Sequence, residues 1–332
     1  RTNLGKVVLH SELGVKTKMR MILQALFPIW WAKRDLRRQK LALQADTMEL
    51  WRSVKTMGLG IKRRIKQLFP KPTTVPIINK ISSGEELTGK VALISGGSGG
   101  IGLAIAKEFY SSGAKVIIAG TNQKKLECIC AEIDSDNFKS IILDYTDPYS
   151  FEQNIYEANA IFGTIDIFVS SAGIHVDRTG LDFLNTTLEE YDQIMNINLK
   201  GTYFACQSVA KIMISNKIQG HILLISSQSA LEPSWSPYRL SKLGIDGITK
   251  GMAQRLLENG IIVNAIGPGP TATSMQKEFK EGNIYTSLNP INRFTMPEEV
   301  AQYAKMLVSD LGNTIIGQTL YMSGGRGIIE VR

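Results

Sequence analysis

One stretch constrains this chain more than any other. Residues 88–120 read TGKVALISGGSGGIGLAIAKEFYSSGAKVIIAG. An apolar run, Val91 to Ile94, leads into Ser95-Gly96-Gly97-Ser98-Gly99-Gly100-Ile101-Gly102. A helical pattern follows from about Ile101 to Ser111, and a second apolar run covers Val116 to Ala119. Strand, glycine turn, helix and strand make a βαβ unit of about thirty residues. Glycines let backbone N–H groups approach a pyrophosphate, which then sits at the positive end of the helix. Gly102 lets helix and strand pack closely. A glycine turn by itself is weak, but between a strand and a helix it predicts a dinucleotide site.

Strands and helices keep alternating downstream, which predicts a doubly wound parallel α/β sheet, a Rossmann fold. Ser140 to Leu143 reads as a third strand ending in Asp144 and Tyr145. Ile165 to Val169 reads as a fourth, ending in Ser170-Ser171-Ala172-Gly173. Asn198 precedes Leu199-Lys200-Gly201, a position where a helix-interior asparagine is unfavourable unless it bonds something. His221 to Ile225 delivers Ser226 and Ser227. Ile261 to Ile266 leads to Gly267-Pro268-Gly269-Pro270-Thr271-Ala272-Thr273, and Gly317 to Gly325 closes the pattern.

Between these runs stands Tyr238, with Lys242 four residues on. One helical turn separates them, so both side chains share a face. Of the ten tyrosines, only Tyr238 has a lysine at that spacing. The glycine spacing and this pair together resemble the short-chain dehydrogenase/reductase family, 3-oxoacyl-ACP reductase-like members in particular. The resemblance spans about residues 88–328. It implies Tyr238 as acid/base in hydride exchange between a nicotinamide and a carbonyl or secondary alcohol. Lys242 would hold the ribose and, with the oxidised nicotinamide, lower the phenol pKa from about 10. Ser227 would orient the substrate oxygen, with Ser226 or the less favoured Ser229 as alternatives, because the serine-to-tyrosine loop is short. Asn198 would bend its helix and hold a relay water.

The same resemblance assigns the cofactor contacts. Ser95, Gly96, Ser98, Gly100, Ile101 and Gly102 would face the pyrophosphate and ribose, with Thr121 and Asn122 at the end of the second strand. Asp144 and Tyr145 would meet the adenine end. Ser171, Ala172 and Gly173 would pass beside the cofactor, although two serines stand where the family usually has two asparagines that brace the sheet. Pro268, Gly269, Thr271 and Thr273 would surround the nicotinamide, with Thr273 on its carboxamide. Ser323 replaces a frequent aspartate. The second strand ends in Ala119-Gly120-Thr121-Asn122 with no carboxylate for the ribose hydroxyls, while Lys124 and Lys125 follow. NADP(H) is therefore expected over NAD(H).

Charge divides the chain. Residues 1–90 hold 19 Lys and Arg against 6 Asp and Glu; the rest holds 19 against 24. Residues 1–87 read as a basic helical extension with a linker containing Pro70, Pro72 and Pro76, and residues 88–332 as one catalytic domain. The apolar run Ile22 to Ala32 is too short to span a bilayer and lacks a signal-type cleavage site. The extension reads as a segment packing on this or an upstream domain, or as an interfacial helix setting Phe27, Trp30 and Trp31 among anionic lipids. Nucleic-acid binding is not expected. Arg1 in place of methionine is expected of a piece of a longer chain or a processed form.

Cys128, Cys130 and Cys206, with only three histidines, make neither a disulfide framework nor a metal site. A reducing, cytoplasmic setting is expected, with a membrane surface as an alternative location. The segment Thr271 to Met296 is polar, and Arg293 with the following Pro-Glu-Glu-Val resembles members that reduce 3-oxoacyl thioesters or sugar-like ketones. A small carbonyl substrate and a homodimer or homotetramer are expected. The competing reading is a catalytically idle dinucleotide-binding scaffold.

Overall fold

Seven strands form one parallel sheet in the order β3-β2-β1-β4-β5-β6-β7 in the computed structural model. The structure describes residues 85–176, 181–276, 279 and 283–329. The strands are β1 (Val91–Ser95), β2 (Lys115–Gly120), β3 (Phe138–Ile142), β4 (Ile167–Ser170), β5 (His221–Ile225), β6 (Ile262–Pro268) and β7 (Thr319–Met322). The readings made for the basic extension, including its possible membrane and domain partners, lie outside the described residues. Among the described residues, no helix is long and apolar enough to cross a membrane.

Strand alternation builds the core on both faces of the sheet. Val91 and Leu93 of β1 point to one face, where Ile155 of α3 (Phe151–Phe162), Val209 of α5 (Thr202–Ser215) and Ile245 of α6 (Pro237–Leu256) cover them. Ala92 and Ile94 point to the other. There Phe109 of α1 (Gly100–Ser111), Leu126 of α2 (Gln123–Ile133) and Val300 of α7 (Pro297–Val308) pack. Burying such side chains contributes roughly 1.5–3 kcal/mol each. This explains why β1 is apolar throughout its length rather than alternating. The core begins at Leu87, which is buried and joins the second cluster.

The short helix α4 (Leu188–Ile194) starts with a capping box, Thr187 and Glu190 bonding each other's backbone. It continues through a π-helical turn, Met195–Gly201, into α5. β1 lies between β2 and β4, so the connections leave it in opposite directions. A crevice opens at such a switch point, outside the carboxyl ends of the strands.

Candidate active site

A cleft of about 960 Å³ occupies that crevice. Its floor is the glycine turn. Gly96 has φ +66° and lies against β4, where an added Cβ would stand 2.8 Å from the Ala172 nitrogen. Only a residue without a side chain fits both conditions. Gly99 precedes α1 without any side-chain cap, so the first N–H groups of α1 are not capped by a side chain. Gly100, Ile101 and Gly102 all line the cleft. A close-packed glycine cradle with an uncapped helix start fits a dinucleotide pyrophosphate.

The other expected cofactor residues fall into two groups. Ser98, Thr121, Asp144, Ser171, Ala172 and Gly173 line the cleft, and across it so do Pro268, Gly269, Thr271 and Thr273. The Ser98 hydroxyl lies 3.4 Å from where a Gly120 Cβ would stand, at the end of β2. Thr273 reaches the glycine turn, its methyl 2.5 Å from a Cβ position at Gly100. Three of the expected residues have their polar groups engaged elsewhere. Ser95 does not line the cleft; it is 1% exposed and its hydroxyl meets the Tyr145 hydroxyl at 2.8 Å. Tyr145 borders the cleft, but its hydroxyl is turned into the protein, 2.9 Å from Ser170. Asn122 is used locally, its Oδ1 accepting from the Lys125 N–H at the start of α2. Asp144 lines the cleft while Oδ1 accepts from both the backbone and hydroxyl of Thr146.

The reactive end gathers residues from three elements. Ser236 caps α6 and Pro237 opens it, which sets Tyr238 in the first turn and Lys242 one turn on. Ser227 follows β5; its Oγ accepts from the Ser229 N–H at 3.1 Å, and its hydroxyl lies near enough to the Tyr238 phenol to favour the ionised form. Ser226 faces away: it donates to Asp246 Oδ1 at 2.8 Å and lies 3.2 Å from the Lys242 carbonyl. Adjacent residues of an extended chain point to opposite sides, so one serine reaches the tyrosine and the other the helix. Asn198, 1% exposed in the π-helical turn, clamps the backbone of Ile174: Oδ1 accepts from its N–H at 2.8 Å and Nδ2 donates to its carbonyl at 2.9 Å. A Cβ at Gly173 would stand 3.3 Å from Asn198 Oδ1 and 3.8 Å from Lys242 Nζ. Asn198, the small Gly173 and the lysine amine therefore converge.

Desolvation pushes the Tyr238 phenol above its ordinary value, and the neighbouring Ser227 hydroxyl opposes this in part. Lys242 Nζ donates to the Ile225 carbonyl at 2.9 Å and lies 5.7 Å from the Tyr238 ring centre. Burial lowers its pKa to about 8, and Asp246 partly offsets this. Asp246 accepts from Ser226, Thr319 at 3.2 Å and Tyr321. It was not singled out in the sequence, although its position four residues after Lys242 places it on the same face. His175, also missed, sets its ring edge-on to Tyr238 at 4.5 Å. Its signal was sequence adjacency to Ala172-Gly173.

Arg293 does not line the cleft. It pairs with Glu299 of α7 through two 2.7 Å contacts, tying a loop down. Arg239 and Arg326 do line the cleft, and they share Glu232 at 2.7 Å each.

A doubly wound sheet with a glycine cradle at its switch point, and a Ser/Tyr/Lys group beside it, defines a nicotinamide-dependent oxidoreductase acting on a carbonyl or alcohol. Residues 96–326 match the family model described as Enoyl-(Acyl carrier protein) reductase. The 3-oxoacyl-[acyl-carrier-protein] reductase FabG of Rickettsia conorii is 33% identical over 244 residues, covering 72% of this chain and 98% of the relative. That of Thermotoga maritima is 33% identical over 245 residues, with the same shares. A solved structure titled as a short chain dehydrogenase/reductase family protein aligns with TM-score 0.64 and 30% identity over 74% of this chain and all of that one. The chain belongs to the short-chain dehydrogenase/reductase family. Enzymes of this family act on small molecules and commonly assemble as oligomers.

Proposed function

We propose that this chain is an NADP(H)-preferring carbonyl reductase in which Tyr238 is the acid/base, supported by Lys242, Ser227 and Asn198. The observation that carries the reading is the convergence of these side chains from β5, α6 and the π-helical turn beside one glycine cradle. When bound, the nicotinamide exchanges a hydride with the carbonyl carbon. The protein moves the proton and holds the oxygen. Tyr238, kept protonated by burial, donates to the developing alkoxide, and the Ser227 hydroxyl holds that oxygen in place. Lys242 supplies positive charge beside the resulting tyrosinate. Asn198, clamped on Ile174, fixes the wall that faces the lysine.

Cofactor preference rests on the end of β2. Gly120 and Thr121 offer no carboxylate, Ser98 puts a hydroxyl nearby, and the exposed Lys124 and Lys125 lie in the first turn of α2. A 2′-phosphate suits that neutral-to-positive corner. Parallel assays with NADPH and NADH are expected to favour NADPH by about tenfold or more in kcat/KM, a difference of one charge-assisted hydrogen bond. A preference for NADH would overturn this reading. For the carbonyl partner, the names of the relatives support 3-oxoacyl thioesters, and a panel of thioesters, ketones and keto-sugars scored by NADPH consumption tests it.

The two serines separate cleanly by experiment. Ser227→Ala is expected to lower kcat about 10²-fold by removing a donor at the reacting oxygen. Ser226→Ala removes a bond to Asp246 and costs about 1 kcal/mol of stability instead. Steady-state rates and thermal melts on both variants distinguish the roles; the reverse pattern would reassign the catalytic serine.

A further inference from the structure

We propose that Tyr145 is a positioning residue for the dinucleotide, its buried hydroxyl locking together the strand ends that form the cofactor cleft. The inference rests on the dinucleotide site proposed above. The phenol oxygen stands between two serines, 2.8 Å from Ser95 Oγ at the end of β1 and 2.9 Å from Ser170 Oγ at the end of β4. The chain of hydroxyls runs further. Ser170 Oγ lies 3.4 Å from Thr202 Oγ1, at the start of α5 directly after the π-helical turn that carries Asn198. Ser95 Oγ also accepts from the Ser171 N–H at 3.2 Å and stands 3.3 Å from the Val169 carbonyl. Tyr145 has one proton for two partners, so it donates to one serine and accepts from the other.

Each anchor adjoins a wall of the cleft. Ser95 precedes Gly96, Ser170 precedes Ser171 to Gly173, and Tyr145 itself follows Asp144. Ser95 and Ser170 are register partners on the adjacent strands β1 and β4. The tyrosine, entering from the turn after β3, ties that turn to both strand ends. Ser95, Tyr145 and Ser170 are 1%, 3% and 3% exposed, so no solvent replaces a lost partner. Burial raises the phenol well above its ordinary pKa, so it stays a neutral donor-acceptor across the working range. Its ring packs edge-on against Phe151 with centres 5.5 Å apart. Tyr145→Phe therefore removes the hydroxyl and keeps that packing.

The test uses the full chain titrated with NADPH by its fluorescence, without substrate, alongside thermal melts and steady-state kinetics. Tyr145→Phe is expected to raise the NADPH Kd about tenfold, the equivalent of one buried hydrogen bond network member lost. The KM for NADPH is expected to rise with it, and kcat to fall less. Ser170→Ala, which cuts the β4 end of the network, is expected to act in the same direction if the tyrosine variant folds poorly. Phe138→Leu, in the other core cluster, serves as a stability control. Overturning results are a Kd within twofold of wild type in both variants, or an equal rise in an equally destabilised Phe138→Leu. If the wild-type chain binds no dinucleotide at all, the cofactor reading fails first and this inference fails with it.

Discussion

Tyr238→Phe is expected to lower kcat about 10³-fold while the NADPH Kd stays within about twofold of wild type. General acid catalysis by one positioned side chain contributes about 10² to 10⁴ in rate. Phenylalanine keeps the ring that meets His175 edge-on and removes only the phenol oxygen beside Ser227. Binding is therefore retained while the proton source is lost. Single-turnover reduction, following NADPH absorbance at saturating cofactor, reads the chemical step directly. A variant with near wild-type rate would mean that another group delivers the proton. A wild-type chain that binds NADPH and reduces no carbonyl would instead favour an idle scaffold.

Lys242→Met is expected to abolish measurable turnover and yet leave the melting temperature at pH 7 unchanged or higher. The reason lies in the environment of the amine. Lys242 is 6% exposed, and burial depresses its pKa from 10.5 to about 8. Below pH 8 the folded state carries a charge that the interior disfavours, while the unfolded chain carries it at little cost. The sign follows from linkage. Between about pH 8 and 10.5 the unfolded state binds the extra proton, so wild-type stability rises with pH across that window. The penalty at pH 7 is on the order of 3 kcal/mol. Methionine has no charge to desolvate, and Asp246 keeps three hydroxyl donors when the lysine is gone. Denaturant melts of both proteins from pH 7 to 10 should show the variant's advantage shrinking as pH rises. A variant destabilised by several kcal/mol at pH 7 would show that the buried amine holds the fold as well as the site. For the wild-type chain, kcat/KM for NADPH, which reports the free enzyme, should also decline as pH rises through about 8, where the ammonium is lost.

Much of the fold was legible because its signals are local. A strand, a glycine turn and a helix within about thirty residues leave few alternatives to a parallel pair. The apolar runs at Val91, Ile117, Phe168, Leu223 and Val263 announced strands buried on both faces, and all are core residues. Strand ends were less legible: β3 begins at Phe138, two residues before the apolar run Ser140 to Leu143 that suggested it. As an edge strand, its half-exposed residues carry a mixed pattern.

The site was legible wherever spacing alone brings groups together. The Tyr238–Lys242 pair follows from helical geometry, and the glycine cradle follows from the turn. Contacts across long sequence separations were not. The choice between Ser226 and Ser227 depends on Asp246, twenty residues away on another element. Nothing in the polar segment Thr271 to Met296 announced that its Arg293 holds Glu299 on α7. The lysine of α6 was in view but its aspartate Asp246 was not, and only packing against β7 shows that Thr319 and Tyr321 engage that carboxylate.

Sequence by itself determined the parallel α/β architecture, the dinucleotide cradle and the tyrosine–lysine pair, because each depends on residues within one or two turns of one another. Only the tertiary structure decided where the serine hydroxyls point, how far burial displaces the phenol and amine pKa values, and that Tyr145 braces the strand ends. Those properties arise in large part from partners up to 76 residues apart in sequence. No local period encodes them; strand order and close packing bring them together.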